Sequence, residues 1–570
     1  MADLSLRLPI EDTAGHDSSR SESPVVRSAL WAAWGDALGF PVELAREPRE
    51  LQNRFGAQEV REPVAWQRRV GGRFGPDVKL PAGAYSDDTQ LRVAVSRCIR
   101  SGGRFDVEAF SKVELPIFLT YELGAGRATR RAAQGFTKRA TRWSSNFFED
   151  RVVRYVSAGG NGAAMRIQPH VWAARDHRAE AYLPSLLRDA VCTHGHPRGI
   201  LGAAWHALAL GAALRDRHVP APRTWLEMAR SLAHIPARME ADEALCERWL
   251  PRWSQAAGEP FVDVCRRTVA ECEELADMAI RATESNGDVA ERYAELAEQV
   301  GALRVETRGS GTVSAILALW IAWVGQDRPL DALQTAANLR GSDTDTVATM
   351  AGAILGAVAE TGPPGDLQDR AMHERQAARL DAVREGRPVE NFPHPDLLHW
   401  QAPATLSDAV GLDDAGRIAV AGLGSAEPIG EPCRGRGKEA VVWQWLRLQS
   451  GQTVLAKRRI ELARLERAAL PVARASSKTQ AEDDTKGTKA PQRVGNATHA
   501  FPATVEDALA AAIEHDFDEQ SVGRLVLHLG QQEYGDEKAG IFAALVVRAQ
   551  REQRQGGHAP PRVYRANGRR

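Results

Sequence analysis

Apolar residues recur at helical spacing through most of the first 360 positions. Val26, Leu30, Trp31, Trp34 and Leu38 mark one such helix, with Ala32, Ala33, Gly35 and Ala37 between them. Those small residues let a second helix approach closely. Gly39 and Pro41 end the pattern, since proline biases the residue before it away from the helical region. Residues 46–84, rich in Gly, Pro and Arg, read as loop. Helical patterns follow over 91–99, over 105–135 with a Gly-Ala-Gly break at 124–126, over 163–174, over 199–214 and through 222–300. The stretch 312–324 is almost wholly apolar and reads as a buried core helix, and 341–359, built from Ala, Gly, Thr and Ile, as a helix that must pack tightly. Thr361-Gly362-Pro363-Pro364-Gly365 stops it. Beyond that point 417–423 and 441–448 alternate or run apolar as strands do, and Trp443 and Trp445 flank Gln444 as on a half-buried strand. Helical period returns over 501–556, through Val505, Leu509 and Ile513, then Leu525, Leu527 and Leu529, then Phe542, Leu545 and Val546.

The organisation this predicts has five parts. Residues 1–24 are polar and read as disordered, 25–365 form an all-α core, and 366–473 form a smaller accessory region with some β structure. Residues 474–500, almost without large apolar side chains, read as a disordered linker, and 501–570 as a small helical region with a basic tail. A chain of 570 residues is too long for one ordinary core. The content of 43% hydrophobic and 26% charged residues is that of a soluble globular protein. The formal net charge of -1 supplies no global field for nucleic acid or an anionic membrane. The short basic runs at 434–438 and 457–459 therefore read as solvated surface, and a nucleic-acid partner is not expected. Six scattered cysteines without a C-x-x-C pair argue against a zinc site and a disulfide framework. With no apolar leader visible and no membrane-length run, a cytoplasmic protein is expected.

Two acidic motifs carry the candidate chemistry, Ser86-Asp87-Asp88-Thr89-Gln90 and Asp343-Thr344-Asp345-Thr346. Each opens a helical pattern, where Ser, Thr and Asp ordinarily cap free N–H groups. Two carboxylates at one cap repel each other, and a cation relieves the repulsion. Positions i and i+2 point about 200° apart on a helix, so Asp343 must sit at or before the cap while Asp345 and Thr346 occupy the first turn. Four carboxylates with hydroxyl neighbours form an oxygen-rich set suited to a hard divalent ion, Mg²⁺ or Mn²⁺. Two unrelated acidic caps would be the plainer explanation of either motif alone.

Three further segments stand in order around these motifs: 35–43 (Gly-Asp-Ala-Leu-Gly-Phe-Pro-Val-Glu), 160–166 (Gly-Asn-Gly-Ala-Ala-Met-Arg) and 193–197 (Thr-His-Gly-His-Pro). With all five, the chain resembles the ADP-ribosylglycohydrolases, the family that includes the dinitrogenase-reductase-activating glycohydrolases and the ADP-ribosyl-acceptor hydrolases. The resemblance covers roughly the first two thirds of the chain. It implies an all-α catalytic core that holds two Mg²⁺ ions on Ser86, Asp87, Asp88, Asp343, Asp345 and Thr346. It also implies Glu43, Asp343 and Asp345 as catalytic groups, and Gly160, Asn161, Gly162, Met165 and His194 as contacts to ADP-ribose. His196 is left as a supporting or structural residue. The implied reaction is hydrolysis of the C1″ bond between ADP-ribose and an acceptor, on an ADP-ribosylated protein or a small ADP-ribose conjugate, with arginine the favoured acceptor. A catalytically weak ADP-ribose-binding module is the alternative. Ser86 stands where many members have Thr, and Ser342 where Gly is frequent. Residues 366–570 have no counterpart in the minimal family members.

Overall fold

Ser23 opens the first helix: its hydroxyl accepts from the Val26 N–H (3.2 Å), and Pro24 takes a first-turn position where no N–H is needed. In this computed structural model the described residues are 23–43, 45–437, 440–471, 504–514, 517, 519–532 and 535–555. The expected disordered N-terminus (Ser23 and Pro24 apart), linker and basic tail lie outside them. The chain divides into two units, residues 1–474 and 475–570.

The first unit is an all-α core with a mixed appendage. Its centre is built from α1 (Pro24–Gly39), α2 (Asp87–Cys98), α3 (Pro197–Asp216), α4 (Gly311–Val324), α5 (Thr344–Val358) and α6 (Arg370–Arg384). Helix α5 lies between α1 and α4, α3 packs on α4 and α5, and α6 packs on α1. The small residues of α1 and α5 bring the two backbones into contact. A Cβ at Gly39 would stand 2.5 Å from Thr344 O and 2.6 Å from Asp345 N and Cα, and one at Gly35 or Gly352 would overlap the facing backbone. Hydroxyls tie the crossing. Thr349 Oγ1 donates to Ala32 O (2.9 Å), Ser28 Oγ to Ala353 O (2.7 Å) and Thr344 Oγ1 to Gly39 O (2.9 Å). Gly39→Ala is therefore expected to cost roughly 1–3 kcal/mol by overpacking. Gly102→Ala, where a Cβ meets nothing within 4 Å, is the control. Denaturant unfolding of the two variants checks this, and equal midpoints would refute it.

Three local expectations are corrected. Residues 46–84 are not all loop, since Pro48–Phe55 is helical and Trp66–Arg69 (β1) pairs antiparallel with Asp77–Leu80 (β2). The helix expected over 163–174 is broken. Ala164–Arg166 is a 3₁₀ turn and Gln168–Trp172 a separate short helix that starts around Pro169, whose missing N–H forbids continuation. The stop at Thr361–Gly365 ends a helix but not the compact unit, which runs on through the accessory region.

That region forms a five-stranded antiparallel meander: β3 (Val410–Leu412), β4 (Ile418–Val420), β5 (Gly424–Arg434), β6 (Val441–Leu448) and β7 (Thr453–Arg459). It is sewn to the helices by buried polar links. Asp369, just before α6, accepts from Tyr85 Oη (2.8 Å) and from the Thr453 N–H (2.6 Å) and Oγ1 (2.7 Å). Arg97 of α2 makes a bidentate pair with Glu114 (2.8 and 2.7 Å) and donates to Gln452 Oε1 (2.7 Å), while His394 meets Glu114 at 2.9 Å. Trp400 Nε1 donates to Lys112 O (2.7 Å).

The second unit packs α7 (Val505–Glu514), α8 (Glu519–Gly530) and α9 (Gly535–Gln555) around Val505, Ala508, Leu525, Leu529, Phe542 and Val546. Leu527 and Ile513 of the apolar pattern face outward instead. Among the described residues no helix is long and apolar enough to cross a membrane.

Candidate active site

The two acidic motifs meet. Thr346 Oγ1 in the first turn of α5 donates to Asp88 Oδ2 in the first turn of α2 (3.3 Å), and Ser86 Oγ lies 3.3 Å from the same oxygen. Capping does not explain these carboxylates. Ser86 caps α2, its hydroxyl accepting from the Asp88 N–H (3.2 Å). Asp36 of α1 takes two further donors, its two oxygens accepting from the N–H groups of Ser86 and Thr89, each at 3.0 Å, and the Asp87 N–H donates to Leu123 O (3.0 Å). Asp87 and Asp88 are left buried without a capping task. Asp343 occupies the N-cap position of α5, as the geometry of the motif required, yet its side chain makes no cap bond. Asp345 Oδ1 accepts from the Thr346 N–H (2.9 Å).

Burial and mutual repulsion set the electrostatics. Asp87, Asp88 and Asp345 are pushed well above the usual carboxylate range, first by loss of water and then by the charges of Glu43, Asp36 and one another. Glu43 is raised to about 7 by burial and by Asp343, with Arg68 acting against the rise. Burial also raises Asp36, opposed by its hydrogen bonds to Thr89 and Ser86 and by the charge of Arg92. Asp88 Oδ1 is buried with no hydrogen-bond partner among the described residues. An orphaned anionic oxygen inside a carboxylate cluster is what a hard divalent cation satisfies, and the serine and threonine oxygens complete a fitting donor set. Among the described residues one group of three such side chains, Cys98, Glu114 and His394, holds its ligand atoms within 4.8 Å of each other, closer than any three carboxylates of the acidic cluster stand. There the Arg97 guanidinium already occupies both Glu114 oxygens, so a cation would face a fixed positive charge.

The acidic cluster forms one wall of a cavity of about 470 Å³ that Glu43, Asp87, Asp88, Asp343, Asp345 and Thr346 all line. Gly160, Asn161, Gly162, Met165 and His194 line it too, so the structure gathers the predicted substrate contacts at the predicted metal site. Ser86 alone of the predicted set lies just behind the wall. The glycine loop is pinned across the cavity. Asn161 N donates to Gly309 O (2.8 Å), Gly311 N donates to Gly159 O (3.1 Å), and Asn161 Nδ2 donates to Asp343 Oδ2 (3.0 Å). Glycine is required at 162, where a Cβ would stand 2.9 Å from the His194 ring.

A buried network fixes the state of His194. Arg166 bridges Asp189 (3.0 and 2.8 Å), Gly162 O (2.7 Å) and Thr193 Oγ1 (2.9 Å). Apart from Arg166, the partner of Thr193 Oγ1 among the described residues is His194 Nδ1, 2.7 Å away, which is therefore assigned the hydroxyl proton. Burial, helped by Arg166, lowers His194 to about 3, so the ring is neutral and Nε2 carries the proton. His196 is a helix cap, Nδ1 accepting from the Arg198 N–H (3.1 Å). The sequence reading missed Asp36, hidden inside an apolar helix pattern, and the cavity-lining Arg127, Arg198 and Arg308, which carry no motif.

The family model for ADP-ribosylglycohydrolase matches residues 20–386. The chain belongs to the ADP-ribosylglycohydrolase family. It is 26% identical over 207 residues to an ADP-ribosylarginine hydrolase of Pseudomonas putida (strain GB-1), covering 34% of this chain and 49% of that protein. It is 28% identical over 169 residues to the ADP-ribosyl-dinitrogen reductase glycohydrolase of Rhodospirillum rubrum, covering 30% and 50%. The chain thus spans about half the length of each of these relatives. A solved chain described as an ADP-ribosylglycohydrolase-related protein complex aligns with a TM-score of 0.38 at 22% identity, covering 64% of this chain and 98% of that one. The family match ends two residues past α6, so the ADP-ribosylglycohydrolase region includes α6 but not the strands β3 to β7.

Proposed function

We propose that this protein is a metal-dependent hydrolase that cleaves the C1″ glycosidic bond between ADP-ribose and an acceptor, arginine on a protein being the favoured one. The observation that carries the reading is the convergence, in one cavity, of an uncapped buried carboxylate cluster with the glycine loop and a neutral His194. Ser86, Asp87, Asp88, Asp343, Asp345 and Thr346 would hold two Mg²⁺ ions, Mn²⁺ being the substitute. Ions bound there supply Lewis-acid charge to vicinal ribose hydroxyls and to a water.

The chain's own groups supply the rest. His194 Nε2–H is a donor fixed by its neighbours and therefore available over the whole neutral range. Arg127 and Arg308 line the cavity and offer charge to a diphosphate, while Arg198 is already paired with Glu271 at 2.8 Å. Cleavage builds positive charge at C1″, which nearby carboxylates favour. Asp343, with one oxygen held by Asn161, and Asp345, with one oxygen on the Thr346 N–H, are the two candidates for taking the proton of the attacking water. Glu43 lines the same cavity and faces Arg68. It is suited to passing a proton to a leaving group, or to facing a guanidinium when ionised. The arginine acceptor is also the one named for the Pseudomonas relative.

A panel of arginine-, serine-, carboxylate- and nucleobase-linked ADP-ribose substrates, with and without chelator, tests this. Release from the arginine linkage, lost on chelation, is expected. Release from another linkage alone overturns the acceptor, and no release from any with metal bound leaves an ADP-ribose-binding module.

A further inference from the structure

Glu43 follows α1 in a turn whose backbone is held from two sides. The Val42 and Glu43 N–H groups donate to Gly39 O (2.9 and 3.0 Å), and Arg54 Nη1 donates to the carbonyls of Pro41 and Glu43, each at 2.9 Å. Its side chain faces Arg68 of β1, with Nη1 3.9 Å from Oε2. Arg68 in turn lies on aromatic rings, its guanidinium carbon 4.6 Å from the Phe40 centroid and 5.8 Å from that of Trp66, and those two rings meet edge to face at 5.1 Å. Arg68 does not line the cavity. Its ion pair with Glu43 is a direct link to a residue that does.

The hairpin that carries Arg68 rests on the C-terminal sheet. Phe40, Trp66, Val70, Val78, Leu80 and Leu123 share a small hydrophobic cluster, separate from the main core, with Trp443 of β6 and Leu455 of β7. Gly71, at φ +74° in the hairpin turn, lies so close to the Trp443 ring that a Cβ would overlap it. Two backbone bonds lock the arrangement, Arg436 N to Phe74 O (2.7 Å) and Lys457 N to Thr120 O (2.9 Å), with Arg436 pairing Asp77 at 3.3 Å. A sheet that served only to cover the helical core would not need this second cluster, whose far edge is Phe40, three residues from Glu43.

From this path of contacts we propose that the C-terminal sheet is part of the acceptor side of the site: Trp443 seats the β1–β2 hairpin, and the hairpin's Arg68 positions Glu43. The proposal rests on the hydrolase reading and assigns a task to strands that lie beyond the family match.

Arg68→Ala, Arg68→Lys, Trp443→Ala and Trp443→Phe in the full chain are the test, with amide exchange, ADP-ribose affinity by calorimetry and turnover as readouts. Arg68→Ala and Trp443→Ala are expected to speed exchange at Val42, Glu43 and Ala45 while the α2 amides stay protected. In both, kcat/KM should fall roughly ten- to hundredfold, as a misplaced group near the reacting bond does, with ADP-ribose affinity within about twofold of the parent. The Lys and Phe variants are expected to recover most of the loss. Unchanged exchange around Glu43 overturns the proposal, as does slower turnover matched by an equal loss of ADP-ribose affinity. Should Trp443→Ala fail to fold, Arg68→Ala and Trp443→Phe decide alone. A parent protein that hydrolyses none of the substrates refutes the function but not the positioning, which the exchange data then settle.

Discussion

Asp88→Asn is expected to abolish divalent-metal binding while leaving the helical fold intact. Asp88 is where the two motifs touch, with Oδ2 contacted by both Ser86 and Thr346 and Oδ1 without a partner among the described residues. The substitution keeps the shape and removes the charge. Loss of an outer-shell partner alone costs metal sites about 10–100-fold, and loss of a ligand at least as much, so Mg²⁺ or Mn²⁺ titration by calorimetry should show no measurable uptake. Turnover should fall in parallel. The metal-free protein should respond in the opposite direction. Its buried carboxylates repel one another, so removing one charge is expected to raise the metal-free Tm by about 1 °C per kcal/mol relieved in a unit of this size. Asp345→Asn should behave alike. Unchanged metal binding in both variants would rule out a single site built from two motifs.

Ending the chain after Gly365 is expected to leave no folded protein. The Pro-Pro-Gly stop there suggested a separable core, but the residues beyond it supply partners to buried groups. Tyr85, next to the first acidic motif, loses Asp369, and Glu114 loses His394 while Arg97 loses Gln452. The loss of α6 bares a face of α1, and that of Trp400 leaves Lys112 O without its donor. Leaving one buried polar group unsatisfied costs about 1–3 kcal/mol, and several such losses together with the apolar surface exposed exceed a typical total stability of about 5–15 kcal/mol. A chain ending at Pro471 keeps all of these partners and is expected to stay soluble, with a helical circular-dichroism spectrum and a cooperative thermal transition. A folded, soluble chain ending at Gly365 would show that the strands only decorate the core.

Those two cases show where the sequence could be read and where it could not. The acidic motifs were legible because a helix start has a fixed geometry. Asp343 stands at the cap and Asp345 in the first turn because i and i+2 cannot share a helix face. The gathering of Gly160–Gly162, Met165 and His194 at the same cavity followed from family resemblance and not from spacing. Asp36 was not legible. Nothing local distinguishes a carboxylate that caps its own helix from one that caps another helix 50 residues away. The hairpin at Trp66–Leu80 was lost under its Gly, Pro and Arg content, although Trp66, Val78 and Leu80 hold the buried face of a period-two pattern. The compact unit and the family match run on past 365 because proline and glycine report the end of an element and say nothing about which surfaces the next one covers.

The crossing of α1 and α5 also bears on which ion the cluster would admit. Glycine brings backbone against backbone there, and Asp36, Gly39, Thr344 and Asp345 all stand at or near the contact. The side chain at that point is the short Thr344 hydroxyl, itself held to Gly39 O, so the distance between the helices is set mainly by backbone atoms that do not move independently. One wall of the cage, α5, is mounted on that joint, and Asp36 ties the other wall, α2, to the same helix α1 through the Ser86 and Thr89 N–H groups, which together resist widening. Calcium, which takes six to eight oxygens at about 2.3–2.6 Å, asks for room that magnesium, octahedral at about 2.0–2.1 Å, does not. Discrimination by ionic radius would then reside in the two glycine-lined helices behind the ligands more than in the carboxylates themselves.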